Sequence, residues 1–173
     1  MRKLTLATAM LCTLLFVECT NAQNKKTMST NNNNPYYSRT DTNKLRVSNS
    51  EWRKILSAGV YSIAREKGTE YAFSGKYWKT DVKGMYYCAV CGNPLFRSGA
   101  KFASSCGWPS FFEAIRPNSV IYLPDDSHGM ERIEVQCGRC ESHLGHIFDD
   151  GPPPTSKRFC MNSAVLDFEP DSN

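Results

Sequence analysis

The sequence lacks the features that identify several large classes of protein. It has no block of basic residues, and 21 Lys and Arg against 17 Asp and Glu leave a net charge of only +4, which does not suggest a nucleic-acid surface. It has no internal repeat and no glycine-rich phosphate loop after a predicted strand. Hydrophobic residues still make up 40% of the 173 residues. That share excludes wholesale disorder and allows one folded domain of about 100–150 residues.

Cysteine is the residue that the sequence has in excess. An even number of eight is typical of a disulfide scaffold in an exported protein. The surroundings of the cysteines differ, however, and divide them into a leader pair, two closely spaced pairs and two isolated residues. In that order they are Cys12 and Cys19; Cys88, Cys91, Cys137 and Cys140; and Cys106 and Cys160.

Residues 1–22 are predicted to form a signal peptide. Two basic residues precede an apolar stretch at 4–17, which is shorter than the about 20 residues needed to span a bilayer. An uncleaved membrane anchor and a buried helix remain alternatives, and so does lipidation at Cys19. We therefore expect an exported protein, periplasmic or secreted, whose mature chain has lost Cys12.

Residues 23–45 are dominated by Ser, Thr, Asn and Lys and include four consecutive asparagines. A segment of this composition buries too little apolar surface to offset the entropy lost on ordering, so a flexible linker is predicted. The folded domain is then expected to occupy residues 46–173.

The domain is predicted to begin with helices and to continue with strands. Ser48 and Glu51 have capping-box spacing, and an apolar stripe follows at helical intervals. Ser57 and Gly59 interrupt the stripe and predict two short helices, with Gly68 as a C-terminal stop. Turn-forming clusters lie at 125–129 and 149–154. The candidate strands are residues 84–88, 101–103, 120–123, 132–136, 146–148 and 159–167.

The two closely spaced cysteine pairs predict a metal site. Cys88 and Cys91 form one C-x-x-C pair, and Cys137 and Cys140 form the other. Two intervening residues let both sulfurs of a pair bind one ion from a tight turn, and four thiolates are the tetrahedral ligand set of a structural zinc. Two disulfides and a thioredoxin-like redox pair remain alternatives. We predict one structural zinc ion per chain.

The isolated Cys160 lies in the sequence Arg-Phe-Cys-Met-Asn. In a strand, Arg158, Cys160 and Asn162 would share one face, so that a guanidinium and a carboxamide flank the thiol. The guanidinium is expected to favour the thiolate and to lower the pKa of Cys160. A buried, inert cysteine is the alternative interpretation.

The other isolated cysteine, Cys106, lies in a loop of small residues before Gly-Trp-Pro. Such a loop is typical of a thiol that must move to meet another sulfur, and Trp108 would offer a rigid aromatic surface to a methyl group. A structural loop whose tryptophan fills the core and a static Cys106–Cys160 disulfide remain alternatives. His143 and His146 lie three residues apart, and an acid–base role beside a reactive cysteine is favoured over metal binding.

Taken together, these segments resemble the B class of methionine sulfoxide reductases, the MsrB family with its SelR domain. The motifs occur in the family order between residues 48 and 168, so the resemblance covers the whole domain. They are Arg65-Glu66-Lys67-Gly68-Thr69-Glu70, Ser74-Gly75-Lys76-Tyr77-Trp78, the two C-x-x-C pairs, Cys106-Gly107-Trp108-Pro109-Ser110-Phe111, His143-Leu144-Gly145-His146-Ile147-Phe148 and Arg158-Phe159-Cys160-Met161-Asn162-Ser163.

The resemblance implies a fold, a substrate and a reaction. The fold is a mainly β domain of two antiparallel sheets, of the Mss4-like or β-tent type, with short N-terminal helices and a structural zinc held by the four paired cysteines. The substrate is methionine R-sulfoxide, free or in oxidised proteins. Cys160 attacks the sulfoxide and becomes a sulfenic acid, Cys106 forms a disulfide with it, and thioredoxin or another dithiol restores both thiols.

The resemblance also assigns roles to the neighbouring residues. His143 or His146 supplies the proton, while Arg158 and Asn162 hold the thiolate and the polarised oxygen. The predicted substrate-binding residues are Trp108, Phe111 and Phe148. The expected partners are oxidised proteins and the dithiol donor, with no nucleic acid, and the protein is expected to be a monomer. A non-enzymatic zinc-binding interaction module and a disulfide-stapled secreted protein are the rival classes.

Overall fold

Two short helices open the folded part of the chain. The computed structural model describes residues 34–172, so the predicted signal peptide and residues 23–33 of the predicted linker lie outside the described residues. Helix α1 spans Asn49–Ile55 and α2 spans Ala58–Glu66, and the Ser48 and Ser57 side chains cap their N-termini. The predicted division into two helices is confirmed. Within residues 34–172, no helix is long and apolar enough to cross a membrane.

The rest of the domain consists of nine strands among the described residues. They are β1 Gly84–Cys88, β2 Pro94–Arg97, β3 Lys101–Phe102, β4 Ser110–Phe111, β5 Val120–Asp125, β6 Arg132–Cys137, β7 His143–Phe148, β8 Arg158–Met161 and β9 Leu166–Pro170. They form a three-stranded sheet in the order β2-β1-β9 and a six-stranded sheet in the order β3-β4-β8-β7-β6-β5. All pairings are antiparallel. The predicted mainly β fold of two antiparallel sheets is confirmed.

The predicted strand at 159–167 is in fact two strands. A 3-10 turn at Ser163–Val165 separates β8 from β9, and the two strands belong to different sheets. This break passes the chain from one sheet to the other directly after Cys160. Its residue types do not reveal it, because the backbone N–H groups of Ser163 and Ala164 find their acceptor in the distant Glu70 carboxylate.

The core lies between the two sheets and is built from aromatic side chains. Tyr86 and Phe96 from the smaller sheet and Phe111 from the larger one are completely buried. The rings of Phe96 and Phe111 stack with centroids 4.4 Å apart, and the ring of Tyr86 meets Phe111 edge-on at 5.0 Å. Strand β8 crosses this core, with Phe159 and Met161 buried beneath it and Cys160 facing the other way.

The segment at 34–45 packs on the domain. Arg139, which is 3% exposed, donates hydrogen bonds to the Tyr36 carbonyl and the Asp41 carboxylate. The backbone N–H of Ser38 donates to the Cys91 carbonyl and that of Leu45 to the Arg139 carbonyl. The predicted flexible linker at 23–45 is therefore corrected over 34–45. Composition alone does not show that the two cysteine turns offer partners to this backbone.

Candidate active site and metal centre

The two C-x-x-C pairs come together at the ends of β1 and β6. Cys88 ends β1 and Cys137 ends β6, and each is followed by a tight turn that brings back Cys91 or Cys140. All four side chains are buried, and their sulfur atoms lie within 4.8 Å of one another. The shortest separations join the two pairs, at 3.7 Å from Cys88 to Cys140 and 3.6 Å from Cys91 to Cys137.

These separations are those of four ligands around one metal ion. A disulfide joins its sulfurs at about 2.05 Å, whereas four sulfurs at about 2.3 Å from a zinc ion lie about 3.8 Å from one another. All four cysteines are free. The turns are also tight: a Cβ on Gly138 would lie 2.1 Å from the Asn118 carbonyl oxygen, so only glycine fits there. The four sulfurs together could hold a metal ion.

The two isolated cysteines meet in the middle of the six-stranded sheet. Cys160 on β8 pairs with Ser110 on β4 and with His146 on β7. Cys106 lies in the loop before β4, and its sulfur is 3.5 Å from that of Cys160. Both thiols are free and partly exposed. A small movement of the loop would bring the two sulfurs to bonding distance.

When one thiol of this pair ionises, the surroundings favour the thiolate at Cys106 over that at Cys160. Burial raises the pKa of Cys106, but hydrogen bonds from the Ser104 and Ser110 hydroxyls outweigh burial and lower the pKa to about 7. Burial and the neighbouring Cys106 charge raise the pKa of Cys160 to about 12, against the opposing effect of the Arg158 guanidinium. Arg158 does act to lower the pKa of Cys160, as predicted, but burial and the Cys106 charge outweigh the guanidinium, so the net pKa is raised instead of lowered.

A small pocket of about 130 Å³ opens beside Cys160. Its walls include four residues that the sequence had singled out, namely Trp108, His146, Phe148 and Asn162. The other lining residues are Thr69, Arg132, Gly145 and Met161. A pocket of this size accommodates the end of one side chain. Trp108 forms an apolar wall of the pocket and His146 a polar one.

His146 is held in the pocket wall by a carboxylate. Its Nε2 lies 2.6 Å from Asp125 Oδ2, and the same oxygen accepts a hydrogen bond from Arg132 at 2.7 Å. The Ser127 hydroxyl, His146 and Arg132 keep the pKa of Asp125 well below its usual range, so this carboxyl is ionised. An ionised carboxylate at this distance accepts a hydrogen bond from the imidazole and fixes its orientation.

His143 has a similar partner but lies away from the pocket. Its Nδ1 is 2.8 Å from Glu134 Oε1, and Lys67 binds the other oxygen of Glu134 at 2.8 Å. Burial lowers the pKa of His143, while burial of Glu134 is outweighed by the hydrogen bonds that lower the pKa of this carboxyl. The ionised Glu134 carboxylate can only accept hydrogen bonds, so the Nδ1–H of a neutral His143 donates the hydrogen bond between them. Its Nε2 is buried and has no hydrogen-bond partner within residues 34–172.

Comparison with known proteins agrees with this arrangement. The SelR domain model matches residues 56–170. A peptide methionine sulfoxide reductase MsrB of Thiobacillus denitrificans is 55% identical over 121 residues, which are 70% of this chain and 92% of that protein. One from Pseudomonas fluorescens is 52% identical over 127 residues, 73% of this chain and 98% of that protein. The chain belongs to the MsrB family.

One solved structure also matches part of this chain. The crystal structure of the Mis18 "Yippee-like" domain covers 53% of this chain and 99% of that domain, with a TM-score of 0.41 and 18% sequence identity. A likeness this slight carries no argument about function.

Arg158 lies beside the MsrB cysteine pair but has a partner of its own. Its Nε and one terminal nitrogen each donate to a different oxygen of Asp150 at 2.8 Å. Its guanidinium carbon also lies 4.4 Å from the centre of the Phe148 ring. The guanidinium is thus fixed next to the pocket wall, from where it contributes positive charge to both thiols.

Glu70 connects three parts of the site, although the sequence motifs assigned it no role. Its backbone N–H donates to Asn162 Oδ1 at 3.1 Å, and its carbonyl accepts from Trp108 Nε1 at 3.2 Å. Its carboxylate accepts the N–H groups of Ser163 and Ala164 at 2.7 and 2.9 Å. Its position in the Arg65–Glu70 motif is the one sequence signal that pointed to it. Asp125 and Glu134 had no such signal.

Four of the predicted active-site residues are not in the pocket walls. Cys106 and Arg158 lie beside Cys160, whereas Phe111 and His143 lie elsewhere. Phe111 is completely buried and stacks on Phe96 in the core, because on β4 its neighbour Ser110 is the residue that faces Cys106. The structure therefore places the predicted substrate-binding Phe111 in the core. His143 is 2% exposed and turns toward Glu134. Of the two histidines, only His146 lines the pocket.

Proposed function

We propose that this protein reduces methionine R-sulfoxide, free or in oxidised proteins, to methionine. The observation that carries the proposal is the pair of free sulfurs of Cys106 and Cys160, 3.5 Å apart at a pocket walled by Trp108 and His146. Membership of the MsrB family gives the reaction, and the pocket gives a place for the side chain of the substrate.

The pocket orients the substrate through Trp108. The indole is an apolar surface for the methyl group next to the sulfoxide sulfur, and its orientation is set by the hydrogen bond from Nε1 to the Glu70 carbonyl. With the methyl group against Trp108 and the sulfur toward Cys160, only one epimer directs its oxygen to His146. This arrangement supports selectivity for one epimer, and the resemblance to the B class of methionine sulfoxide reductases implies that it is the R epimer.

The first chemical step transfers oxygen from the substrate to Cys160. The Cys160 sulfur attacks the sulfoxide sulfur, while His146 gives a proton to the sulfoxide oxygen. The temporary bond between the two sulfurs then breaks as the hydroxyl passes to Cys160, and the thiol proton returns to His146. Asp125 accepts a hydrogen bond from His146 and holds the imidazole in place for both proton transfers. The sum of the step is thiol plus sulfoxide giving sulfenic acid plus methionine. The Arg158 guanidinium stabilises negative charge on the sulfur, and Asn162 positions the polarised oxygen beside it.

The second step forms a disulfide. The Cys106 sulfur attacks the Cys160 sulfenic acid, the S–O bond breaks and water leaves. Thioredoxin, or another dithiol in the compartment to which the protein is exported, then reduces the disulfide by exchange. Cys88, Cys91, Cys137 and Cys140 would hold one zinc ion, whose contribution is structural because all four positions around it are filled by protein. The active unit is a monomer.

An assay with the separated sulfoxide epimers tests this proposal. The protein should reduce the R epimer with a dithiol donor and leave the S epimer unchanged. Cys160→Ser should abolish both the first turnover and the steady state. Cys106→Ser should release one methionine per chain. With thioredoxin as donor it should then show no further turnover, because the disulfide that thioredoxin reduces cannot form. Reduction of the S epimer, or substantial activity of Cys160→Ser, contradicts the assignment.

A further inference from the structure

Cys106 lies among hydroxyl groups that stabilise its thiolate. The Ser104 hydroxyl donates a hydrogen bond to its sulfur at 3.1 Å, and the Ser110 hydroxyl lies 3.5 Å from the same atom. The Ser104 oxygen also accepts the backbone N–H of Cys106 at 3.3 Å, which fixes this hydroxyl beside the sulfur. The thiolate is the reactive form of cysteine both toward an oxidised sulfur and toward an oxidant, so these donors prepare Cys106 for either attack.

Cys106 is partly exposed and lies outside the walls of the substrate pocket. It is on the loop before β4, and it is absent from the walls of the pocket that holds Trp108 and His146. A small oxidant that met its sulfur from the exposed side would not occupy the place of a methionine side chain. A partly exposed thiolate beside a second thiol is the arrangement found at cysteines that react with peroxides.

We propose that this protein is also a thiol peroxidase, in which Cys106 attacks hydrogen peroxide and Cys160 completes the disulfide. The roles of the two thiols thus depend on the oxidant: Cys160 attacks a sulfoxide, whereas Cys106 attacks a peroxide. The same disulfide results by both routes. This inference stands on the surroundings of Cys106 and does not depend on the identity of the sulfoxide substrate.

The reaction balances in two steps. The Cys106 thiolate attacks one peroxide oxygen, the O–O bond breaks, and with one proton the products are the Cys106 sulfenic acid and water. The Cys160 thiol, 3.5 Å away, then gives up its proton as its sulfur attacks the Cys106 sulfur, the S–O bond breaks, and the hydroxide leaves with that proton as a second water. The two sulfurs lose two electrons and the peroxide gains them. A dithiol donor returns the pair to the reduced state.

The ionisation of the pair agrees with this order. The pKa of Cys106 is lowered to about 7, so about half of it is thiolate at pH 7. The pKa of Cys160 is raised by burial and by the Cys106 charge. Peroxide reacts with thiolates, so the thiolate fraction directs it to Cys106.

The decisive experiment compares the two single variants with hydrogen peroxide at pH 7, with a trap for sulfenic acids and detection by mass spectrometry. Cys160→Ser retains Cys106 and should be trapped about fivefold faster, or more, than Cys106→Ser, which retains Cys160. Equal rates, or faster trapping of Cys160, overturn the proposal. The first turnover of Cys106→Ser with methionine R-sulfoxide shows that its site is folded, and the metal content of Cys160→Ser shows the same for that variant.

A second pair of variants tests the serine donors. In the Cys160→Ser background, Ser104→Ala removes the hydroxyl that donates to Cys106 and should slow trapping severalfold. Ser105→Ala is the matched control, because Ser105 is exposed and belongs to the same loop; it should leave the rate unchanged. Equal rates for the two serine variants contradict the assigned role of Ser104.

Turnover separates this activity from the sulfoxide reaction. The unmodified protein with dithiothreitol should consume hydrogen peroxide faster than the Cys106→Ser/Cys160→Ser double variant does, with methionine sulfoxide absent. Consumption at the rate of the double variant overturns the peroxidase proposal and leaves sulfoxide reduction to be judged by its own assay. Failure of sulfoxide reduction with peroxide consumption intact would contradict the proposed function alone.

Discussion

Two groups of cysteines lie at similar sulfur–sulfur distances in this protein and are built for different chemistry. In the metal centre the closest sulfurs are 3.6 and 3.7 Å apart, and in the redox pair they are 3.5 Å apart. The first group has four sulfurs, all buried behind the turns that follow β1 and β6, whereas the second has two, both partly exposed. Distance alone therefore does not distinguish a metal site from a redox site.

The surroundings explain the difference. Four buried thiolates repel one another and have little water to stabilise them, so they require a cation. Two partly exposed thiols share a single negative charge, which the hydroxyls of Ser104 and Ser110 and the guanidinium of Arg158 stabilise. Such a pair is stable without a metal and can still change its oxidation state. The metal centre should thus support the fold, and the redox pair should support the reaction.

Removal of one metal ligand should have the largest effect. Cys137→Ser should release the metal and unfold the domain, since a structural zinc contributes about 10 kcal/mol or more to folding. Elemental analysis should find one zinc ion per chain in the unmodified protein and far less in the variant, and circular dichroism should report the unfolding. A folded Cys137→Ser protein with normal activity would show that the four cysteines are not a structural centre.

Removal of the His146 imidazole should slow the reaction of the redox pair without lowering the stability of the fold. His146→Gln should slow the first turnover by about 100-fold, because a positioned acid contributes about 10²–10⁴ to such a step. Its melting temperature should stay near that of the unmodified protein. His143→Gln is the contrast, since that buried histidine lies against Glu134: it should lower the melting temperature more than His146→Gln does. The opposite ranking would exchange the roles of the two histidines.

Loss of Glu70 should affect both fold and reaction to a moderate degree. Glu70→Ala leaves the N–H groups of Ser163 and Ala164 without their acceptor, which should lower the free energy of unfolding by about 1–3 kcal/mol. Without its carboxylate the backbone of residue 70, whose carbonyl positions Trp108, is no longer anchored, and a shift of Trp108 should raise the KM for the sulfoxide by about tenfold. Glu70→Gln keeps one acceptor oxygen for the two N–H groups and should recover only part of both losses. Glu66→Ala, on the exposed side of α2, is the control and should change neither quantity.

The smallest effect is the pH dependence of thiol alkylation. Because the pKa of Cys106 is about 7, its alkylation by iodoacetamide should rise with pH, reach half of its maximum near pH 7 and level off above it. The four metal-centre cysteines should stay unmodified over the same range until a chelator removes the metal. Alkylation of all six thiols at one rate would abolish the distinction between the two groups.

Much of the site could be predicted from the sequence because its chemistry lies in short motifs. The spacing of Cys88, Cys91, Cys137 and Cys140 indicated one shared site, and the alternation along β8 placed Arg158 and Cys160 on one face, as the burial pattern of that strand confirms. The Ser48 cap and the break between the two helices at Ser57 could be predicted for the same reason. A local pattern suffices wherever the partners lie within a few residues.

Other features could not be predicted, because they depend on contacts between distant segments. Asp125 and Glu134 became the partners of His146 and His143 only through the register of β5, β6 and β7. The packing of residues 34–45 likewise depends on Arg139, far along the chain. Phe111 was expected at the substrate, but the two-residue strand β4 turns it into the core.

The sequence by itself singled out the candidate residues for the chemistry: four cysteines with the spacing of metal ligands, two isolated cysteines and two histidines. The tertiary structure decided which thiol carries the charge. The neighbouring Arg158 favours a thiolate at Cys160, yet burial in the sheet and the hydroxyls around Cys106 place it on the other sulfur. The pKa of a thiol depends on the solvent and the donors that surround it in space, and neither is fixed until distant segments have packed together.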